Sequence, residues 1–167
     1  MNIALYGRSG AGKSSVADVL VAEYGFVKCS SGAVCRQVCL SLFKSESKTL
    51  LNEVTDALKA VDENVWLRAA ISANVEGKPA VFDSMRFVGD YRFLTERAFT
   101  TWKIVAPLEV RLARLRARGQ SFDPEVDEFH RGETELESHH FDVVIDNSSS
   151  DLSALYDSIR TALARQQ

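Results

Sequence analysis

Gly7-Arg8-Ser9-Gly10-Ala11-Gly12-Lys13-Ser14-Ser15 follows directly on the apolar run Ile3-Ala4-Leu5-Tyr6 and fits the pattern G-x-x-x-x-G-K-[S/T], a loop that wraps nucleotide phosphates. The pattern calls for a strand that ends, a turn whose amides point inward, and a helix whose N-terminal dipole favours negative charge. Gly7, Gly10 and Gly12 let the backbone come close, and the amides of the loop, those of Ser9 and Ala11 included, face the phosphates. Lys13 is expected to reach the β- and γ-phosphates and Ser14 to ligate the accompanying Mg2+, with Ser15 next on the same helical turn. Val16, Ala17, Leu20 and Val21 make the following segment apolar on most sides, as expected of a helix buried beside a sheet. A glycine-rich turn without a ligand is the bland alternative, and the flanking strand and helix argue against it.

Working outward, short apolar runs at 2–6, 26–29, 79–82, 101–106 and 142–146 read as strands, mostly separated by helical patterns at 13–24, 32–43, 48–60, 63–75, 88–98, 107–117 and 151–165. This alternation predicts a five-stranded parallel sheet covered by helices on both faces. Leu51, Val54, Leu58 and Val61 recur at helical spacing, as do Leu152, Leu155, Tyr156, Ile159 and Leu163 behind a Ser-Ser-Ser-Asp capping region. Asp62 reads as a cap for the helix that follows it. Two stretches break the rhythm: a helical excursion over 31–77 and a polar, charged stretch over 119–140.

The chain of 167 residues, 46% hydrophobic, fits one domain with a substantial core. No apolar run is long enough to cross a bilayer and Met1 opens straight into a strand, so a cytoplasmic protein without membrane contact is expected. Cys29, Cys35 and Cys39 lack the paired spacing of a zinc site and read as reduced, buried thiols. A net charge of −3 argues against a surface that coats nucleic acid. Eight of the thirteen arginines nevertheless fall between Arg86 and Arg131, where a second phosphate-handling element is expected.

Lys28-Cys29-Ser30-Ser31-Gly32-Ala33-Val34-Cys35-Arg36 resembles the hydrophobic-Ser-Thr-Gly-Asp-x-hydrophobic-Arg segment of nucleoside monophosphate kinases, with Ala33 where that family usually has an acid. The resemblance implies that Ser31 and Arg36 contact the acceptor, Arg36 through its phosphate; a helix cap and a solvated charge are the alternatives. Asp83-Ser84-Met85-Arg86-Phe87-Val88-Gly89-Asp90 looks like the Asp-x-Arg-Phe-x-x-Glu segment of phage-type deoxynucleoside monophosphate kinases, with one extra residue before the arginine and Asp in place of Glu. Asp83, at the tip of a parallel strand, can hold a magnesium-bound water or orient the attacking oxygen. Arg86 is the implied clamp on the acceptor phosphate; an exposed pair with Asp90 is the structural alternative.

Arg111, Arg114 and Arg118 form a stripe on one helix, with Leu108, Leu112 and Leu115 on the neighbouring face. With the polar loop after them and Arg131, they resemble the lid of monophosphate kinases and of the dephospho-coenzyme A kinase-like branch, where lid arginines neutralise the phosphoryl group in flight. Arg114, Arg118 and Arg131 are the first candidates. Phe141-Asp142-Val143-Val144-Ile145-Asp146-Asn147-Ser148 is similar to the last strand of that branch, which implies Asn147 and Ser148 as adenine neighbours. Trp66 can stack on an acceptor base or fill a core. His130, His139 and His140 carry no ligand or catalytic spacing.

Together these resemblances imply a P-loop NTPase fold: three α/β/α layers, a helical acceptor-binding region over 31–77 and a short arginine-bearing lid over 119–140. They imply Mg2+-dependent transfer of the γ-phosphoryl group of ATP to a nucleoside or deoxynucleoside monophosphate. Dephospho-coenzyme A, another small metabolite and a modified base in DNA are the alternative acceptors. A nucleotide-binding switch is disfavoured, since the chain has no Asn-Lys-x-Asp motif for guanine and no Asp-x-x-Gly after its second or third strand.

Overall fold

In the computed structural model, residues 1–74, 77–120, 122–149 and 151–166 are described. The end of the expected 63–75 helix, Ser121 of the 119–140 stretch and Ser150 of the capping region lie outside them.

The first apolar run forms β1 (Asn2–Tyr6), whose last four residues are buried. The other strands are β2 (Val27–Cys29), β3 (Ala80–Phe82), β4 (Phe99–Val105) and β5 (Val143–Asp146). All neighbours pair in parallel in the order β2-β3-β1-β4-β5, with β1 central. A strand buried on both faces needs apolar residues at every position, and β1 shows how they divide. Ile3 and Leu5 join Val16 and Leu20 of α1 (Lys13–Tyr24) and Leu155 and Ile159 of α9 (Leu152–Ala164) in one core. Ala4 and Tyr6 face the opposite layer, with Phe82, Met85, Phe93, Leu94 and Leu136. The three-layer α/β/α fold expected from the alternation is therefore present.

Between β2 and β3 run α2 (Ser31–Phe43), α3 (Lys48–Val61) and α4 (Val65–Ser72). Their shared core joins Cys35, Cys39 and Trp66 to Leu51, Val54 and Leu58. All three cysteines are free and buried, as expected. Val61, placed on the apolar stripe by its spacing, is instead exposed, because it closes the helix beyond the last contact with α2 and α4. Leu152 and Tyr156 are likewise exposed, at the start and on the flank of α9, whereas Leu155, Ile159 and Leu163 are buried. Leu108 is exposed as well, and Leu115 carries the buried face of α6 (Leu108–Ala117).

Some boundaries shift for local reasons. Asp62 caps the end of α3, and its carboxylate accepts from Asn64 N–H at 2.9 Å; Asn64 is the residue that precedes α4. Helix α5 (Val88–Thr95) stops short of the expected 98 because Ala98 adopts a left-handed φ of 56°, and this turn lets β4 start at Phe99 rather than 101. At the other end of α5, the Asp90 carboxylate accepts from the N–H groups of Arg86 and Phe87 at 2.9 and 3.0 Å. It therefore caps the helix rather than forming the side-chain pair with Arg86 that was weighed above. The 119–140 stretch carries two single-turn helices, α7 (Pro124–Asp127) and α8 (Arg131–Thr134). No helix among the described residues is long and apolar enough to cross a membrane.

Candidate active site

Because β3 lies beside β1, with Ala4 level with Phe82, the residues after these strands emerge together at one edge of the sheet. Ligands of open parallel sheets bind at this edge, past the carboxyl ends of the strands. Here the loop Gly7–Gly12 connects β1 to α1. A Cβ at Gly7 would stand 2.5 Å from the Ile104 carbonyl oxygen, so only glycine lets the loop leave β1 against β4. Gly12 precedes α1 with φ 104°, a left-handed conformation, and a Cβ there would collide with the Asn147 side-chain amide.

A cleft of about 560 Å3 runs from this loop into the helical region. Ser9, Gly10, Lys13 and Ser14 line one end; Ser31, Arg36, Trp66, Asp83 and Arg86 line the rest, with Lys59, Glu63, Ser84, Phe87 and Arg118 between them. The structure thus brings together most of the residues singled out from sequence. Lys13 folds back, donating to the carbonyl oxygens of Gly7 and, at 3.3 Å, of Arg8. Burial, aided by the nearby Arg86 charge, pushes its ammonium down to about 8.

Asp83 pairs through Oδ2 with Lys28 at 3.3 Å, and Lys28 also reaches Asp18 at 3.2 Å. Among the described residues neither its other oxygen, Oδ1, which is buried, nor the buried Ser84 hydroxyl has a hydrogen-bond partner. Asp83, at the tip of β3, and Ser14 line one cleft, and oxygen donors of this kind suit a hard cation such as Mg2+. Among the described residues no group of three or more His, Cys, Asp or Glu could hold a metal.

Trp66 serves as both core and wall. It is buried against Cys35 and Cys39, its indole N–H donates to the Thr55 carbonyl at 3.3 Å, and part of it lines the cleft. The guanidinium groups of Arg36 and Arg118 have no hydrogen-bond or ion-pair partner among the described residues and remain available to a ligand. Arg86 Nη1 donates to Glu133 Oε1 at 3.2 Å.

The arginine stripe runs along the phosphate loop, but its members divide. Arg111 is buried, makes a two-pronged pair with Glu128 at 2.7 and 2.8 Å, and donates to the Ser9 carbonyl at 3.2 Å. Arg114 donates to the carbonyls of Ala11 and Ser149, the latter at 3.0 Å. Arg131 does not line the cleft; it is exposed, paired with Glu135 and 5.6 Å from the ring centre of Phe87, which does. Asn147 is buried; its side chain donates to the Ala11 carbonyl at 2.8 Å, so it braces the loop from behind. It also borders a second hollow of about 230 Å3 formed with Gly12, Ser15, Arg114, Arg118, Ser149 and Leu155.

Sequence reasoning passed over the acids of the 119–140 stretch. Glu128 accepts from Arg111 and from Arg8 at 2.6 Å, and its carboxyl is held below the usual range by the Arg111 hydrogen bonds. Glu133 accepts from Ser9, and Glu137 from Arg8, Lys103 and Tyr6. The signal was present: Glu125, Glu128, Glu133, Glu135 and Glu137 crowd the same region as the arginines.

No model of a known protein family matches the sequence, and no curated protein is similar to it in sequence. Solved structures do match along nearly the whole chain. TT1252 from Thermus thermophilus is 23% identical, covering 100% of this chain and 98% of that one, with a TM-score of 0.63. A gluconokinase from Sinorhizobium meliloti is 19% identical over 99% of this chain and 92% of that one, TM-score 0.60. The shikimate kinase of Acinetobacter baumannii, solved in complex with shikimate, is 15% identical over 99% and 94%, TM-score 0.60. The chain therefore shares the fold of these structures, a gluconokinase and a shikimate kinase among them.

Proposed function

We propose that this chain is an ATP- and Mg2+-dependent phosphotransferase whose acceptor is a nucleoside or deoxynucleoside monophosphate. The observation that carries the proposal is the single cleft that joins the phosphate loop to Arg36, Arg86 and Trp66. A donor on the loop and an acceptor in the helical region would meet there without crossing solvent.

In this reading Lys13 and the loop amides other than that of Ser9, which donates to Glu133, hold the donor phosphates, and Ser14 with Asp83 would hold Mg2+, which supplies charge neutralisation to the transferring phosphoryl group. The nucleobase of the donor fits the hollow bordered by Arg114, Asn147 and Ser149. Arg36 and Arg86 hold the acceptor phosphate, and Ser31 and Trp66 line the cleft beside it. An acceptor oxygen attacks the γ-phosphorus while the bond to the departing ADP oxygen breaks. A phosphate monoester has a second pKa of about 6, so near neutral pH its oxygen is already deprotonated and Asp83 need take no proton. Arg118 lines the same cleft, and Arg131 would join it only if the 119–140 segment closed further.

A second reading rests on the buried, unpartnered Oδ1 of Asp83. If the acceptor were a hydroxyl compound, as the names of the gluconokinase and shikimate kinase neighbours indicate for those proteins, this oxygen would be placed to take the hydroxyl proton. A coupled ADP-release screen over ribo- and deoxyribonucleoside monophosphates, dephospho-coenzyme A, small hydroxy acids and DNA separates the readings. Turnover with a monophosphate, and none with hydroxy acids, is expected; the reverse pattern would transfer the assignment to the second reading. ADP release that needs no acceptor would remove both.

A further inference from the structure

Glu133 belongs to α8, inside the 119–140 stretch, and is almost completely buried. Its carboxylate joins both halves of the cleft. Oε2 accepts from the Ser9 backbone N–H at 2.6 Å, and Oε1 accepts from the Ser9 hydroxyl at 2.7 Å and from Arg86 at 3.2 Å. The main chain beneath it is fixed separately, because the Tyr6 hydroxyl donates to the Glu133 carbonyl oxygen at 2.7 Å. Glu128 and Glu137 on either side are tied to Arg8, Arg111 and Lys103.

Such an anchored carboxylate cannot drift, and hydrogen bonds to a charged partner are the strong ones. Arg86 would otherwise hold a long side chain, 44% exposed, in one of many rotamers. Glu133 engages Nη1, and among the described residues Nε and Nη2 have no partner, which leaves them for a ligand. At Ser9 it takes both the amide and the hydroxyl, fixing the third residue of the phosphate loop.

We propose that Glu133 is a positioning residue that sets Arg86 at a fixed offset from the phosphate loop, so that acceptor and donor phosphates are aligned with each other. This rests on the phosphotransferase reading above. Misplacement of reacting groups by a fraction of a bond length is costly, so such an anchor acts on acceptor binding and transfer together.

The test uses the full chain and the variants Glu133→Gln, Glu133→Ala, Arg86→Ala and the double variant Glu133→Gln/Arg86→Ala. Glutamine keeps a carbonyl oxygen for Ser9 N–H but loses the charge that orients Arg86. Glu133→Gln is expected to raise the acceptor KM about tenfold and to change the Kd for ATP·Mg2+, measured by titration calorimetry, by less than about twofold. Added to Arg86→Ala, it should cost nothing further, because its effect runs through that arginine. Glu133→Ala, which also frees Ser9, should weaken ATP·Mg2+ binding as well. An unmoved acceptor KM in Glu133→Gln, or effects of Glu133→Gln and Arg86→Ala that multiply, would overturn the proposal. So would tighter ATP binding in Glu133→Gln, since Glu133 would then be competing with the donor for the loop. If the wild type phosphorylates no acceptor, the proposed function fails on its own; the ATP titration of Glu133→Ala still decides the Ser9 half, and an unchanged Kd would refute it.

Discussion

Replacing Glu128 by alanine tests whether the 119–140 segment is held to the phosphate loop by buried charge. The side chains of Arg111 and Glu128 are 5% and 11% exposed, and two hydrogen bonds of 2.7 and 2.8 Å join them. The variant removes both, together with the Arg8 bond of 2.6 Å, and leaves the Arg111 guanidinium buried beside only the carbonyls of Ser9 and Ala106, each at 3.2 Å. Breaking a buried pair from one side typically costs 3–5 kcal/mol; the two remaining carbonyl bonds place this case near the lower end, about 3 kcal/mol. For a chain of this size that corresponds to a fall in melting temperature of roughly 6–12 °C, readable by circular dichroism. The pH dependence has a fixed sign. Arg111 holds the folded Glu128 carboxyl below its ordinary value, so its contribution is full above that value and is lost as pH falls through the folded one. The double variant Arg111→Met/Glu128→Met, which removes both charges from the interior, should recover most of the loss. A fall of less than about 2 °C in Glu128→Ala would refute the reasoning, because it would mean that Arg111 needs no counter-charge.

Four further outcomes are expected. Burial holds Lys13 near 8 rather than at its ordinary 10.5, so the unfolded chain binds more protons than the folded one between these values, and the stability of the ligand-free protein should rise with pH across that window. Binding of ATP·Mg2+ needs the charged form, so at pH 8 it should take up about half a proton, detected by calorimetry in buffers of different ionisation enthalpy; no uptake would show that Lys13 is charged before binding. Asp83→Asn keeps the shape of the strand tip but weakens the metal site, and kcat should fall about 100-fold with melting temperature little changed. Asn147→Ala removes the brace on the Ala11 carbonyl and should raise the Kd for ATP while leaving the acceptor KM unaltered in steady-state kinetics.

What could be read from the sequence was local. The phosphate loop is contiguous, each of its residues has a geometric duty, and the strand and helix on either side follow from apolar runs of the right length. The strand tips Cys29 and Phe82 were legible for the same reason, which brought Ser31, Arg36, Asp83 and Arg86 to one edge of the sheet once β2, β3 and β1 paired. Where the reading misplaced a residue, a tertiary partner or a turn was responsible. Val61 keeps the helical period yet faces solvent, since the period runs one turn beyond the helices that α3 packs against. The end of α5 depended on Ala98 adopting a left-handed conformation, which nothing in the local residue types demands.

The arginines show why spacing alone could not assign duties. A helical wheel puts Arg111, Arg114 and Arg118 on one stripe, and the stripe does run along the phosphate loop, but charge on a stripe does not say what neutralises it. Arg111 meets Glu128, seventeen residues on, and becomes part of the interior; Arg114 meets two backbone carbonyls; Arg118 meets no side-chain partner among the described residues and lines the cleft. A charge already committed to the fold has its hydrogen bonds occupied, and drawing it onto a phosphate would require breaking them at a cost of a few kcal/mol. The groups of the cleft without a partner among the described residues are therefore the ones open to ligand contact: Arg36, Arg118 and Asp83 Oδ1, with Arg86 held at one nitrogen. By this criterion Arg131, bound to Glu135 and lying over the Phe87 ring, can act on a phosphoryl group only after exchanging partners, whereas Arg118 can act where it stands.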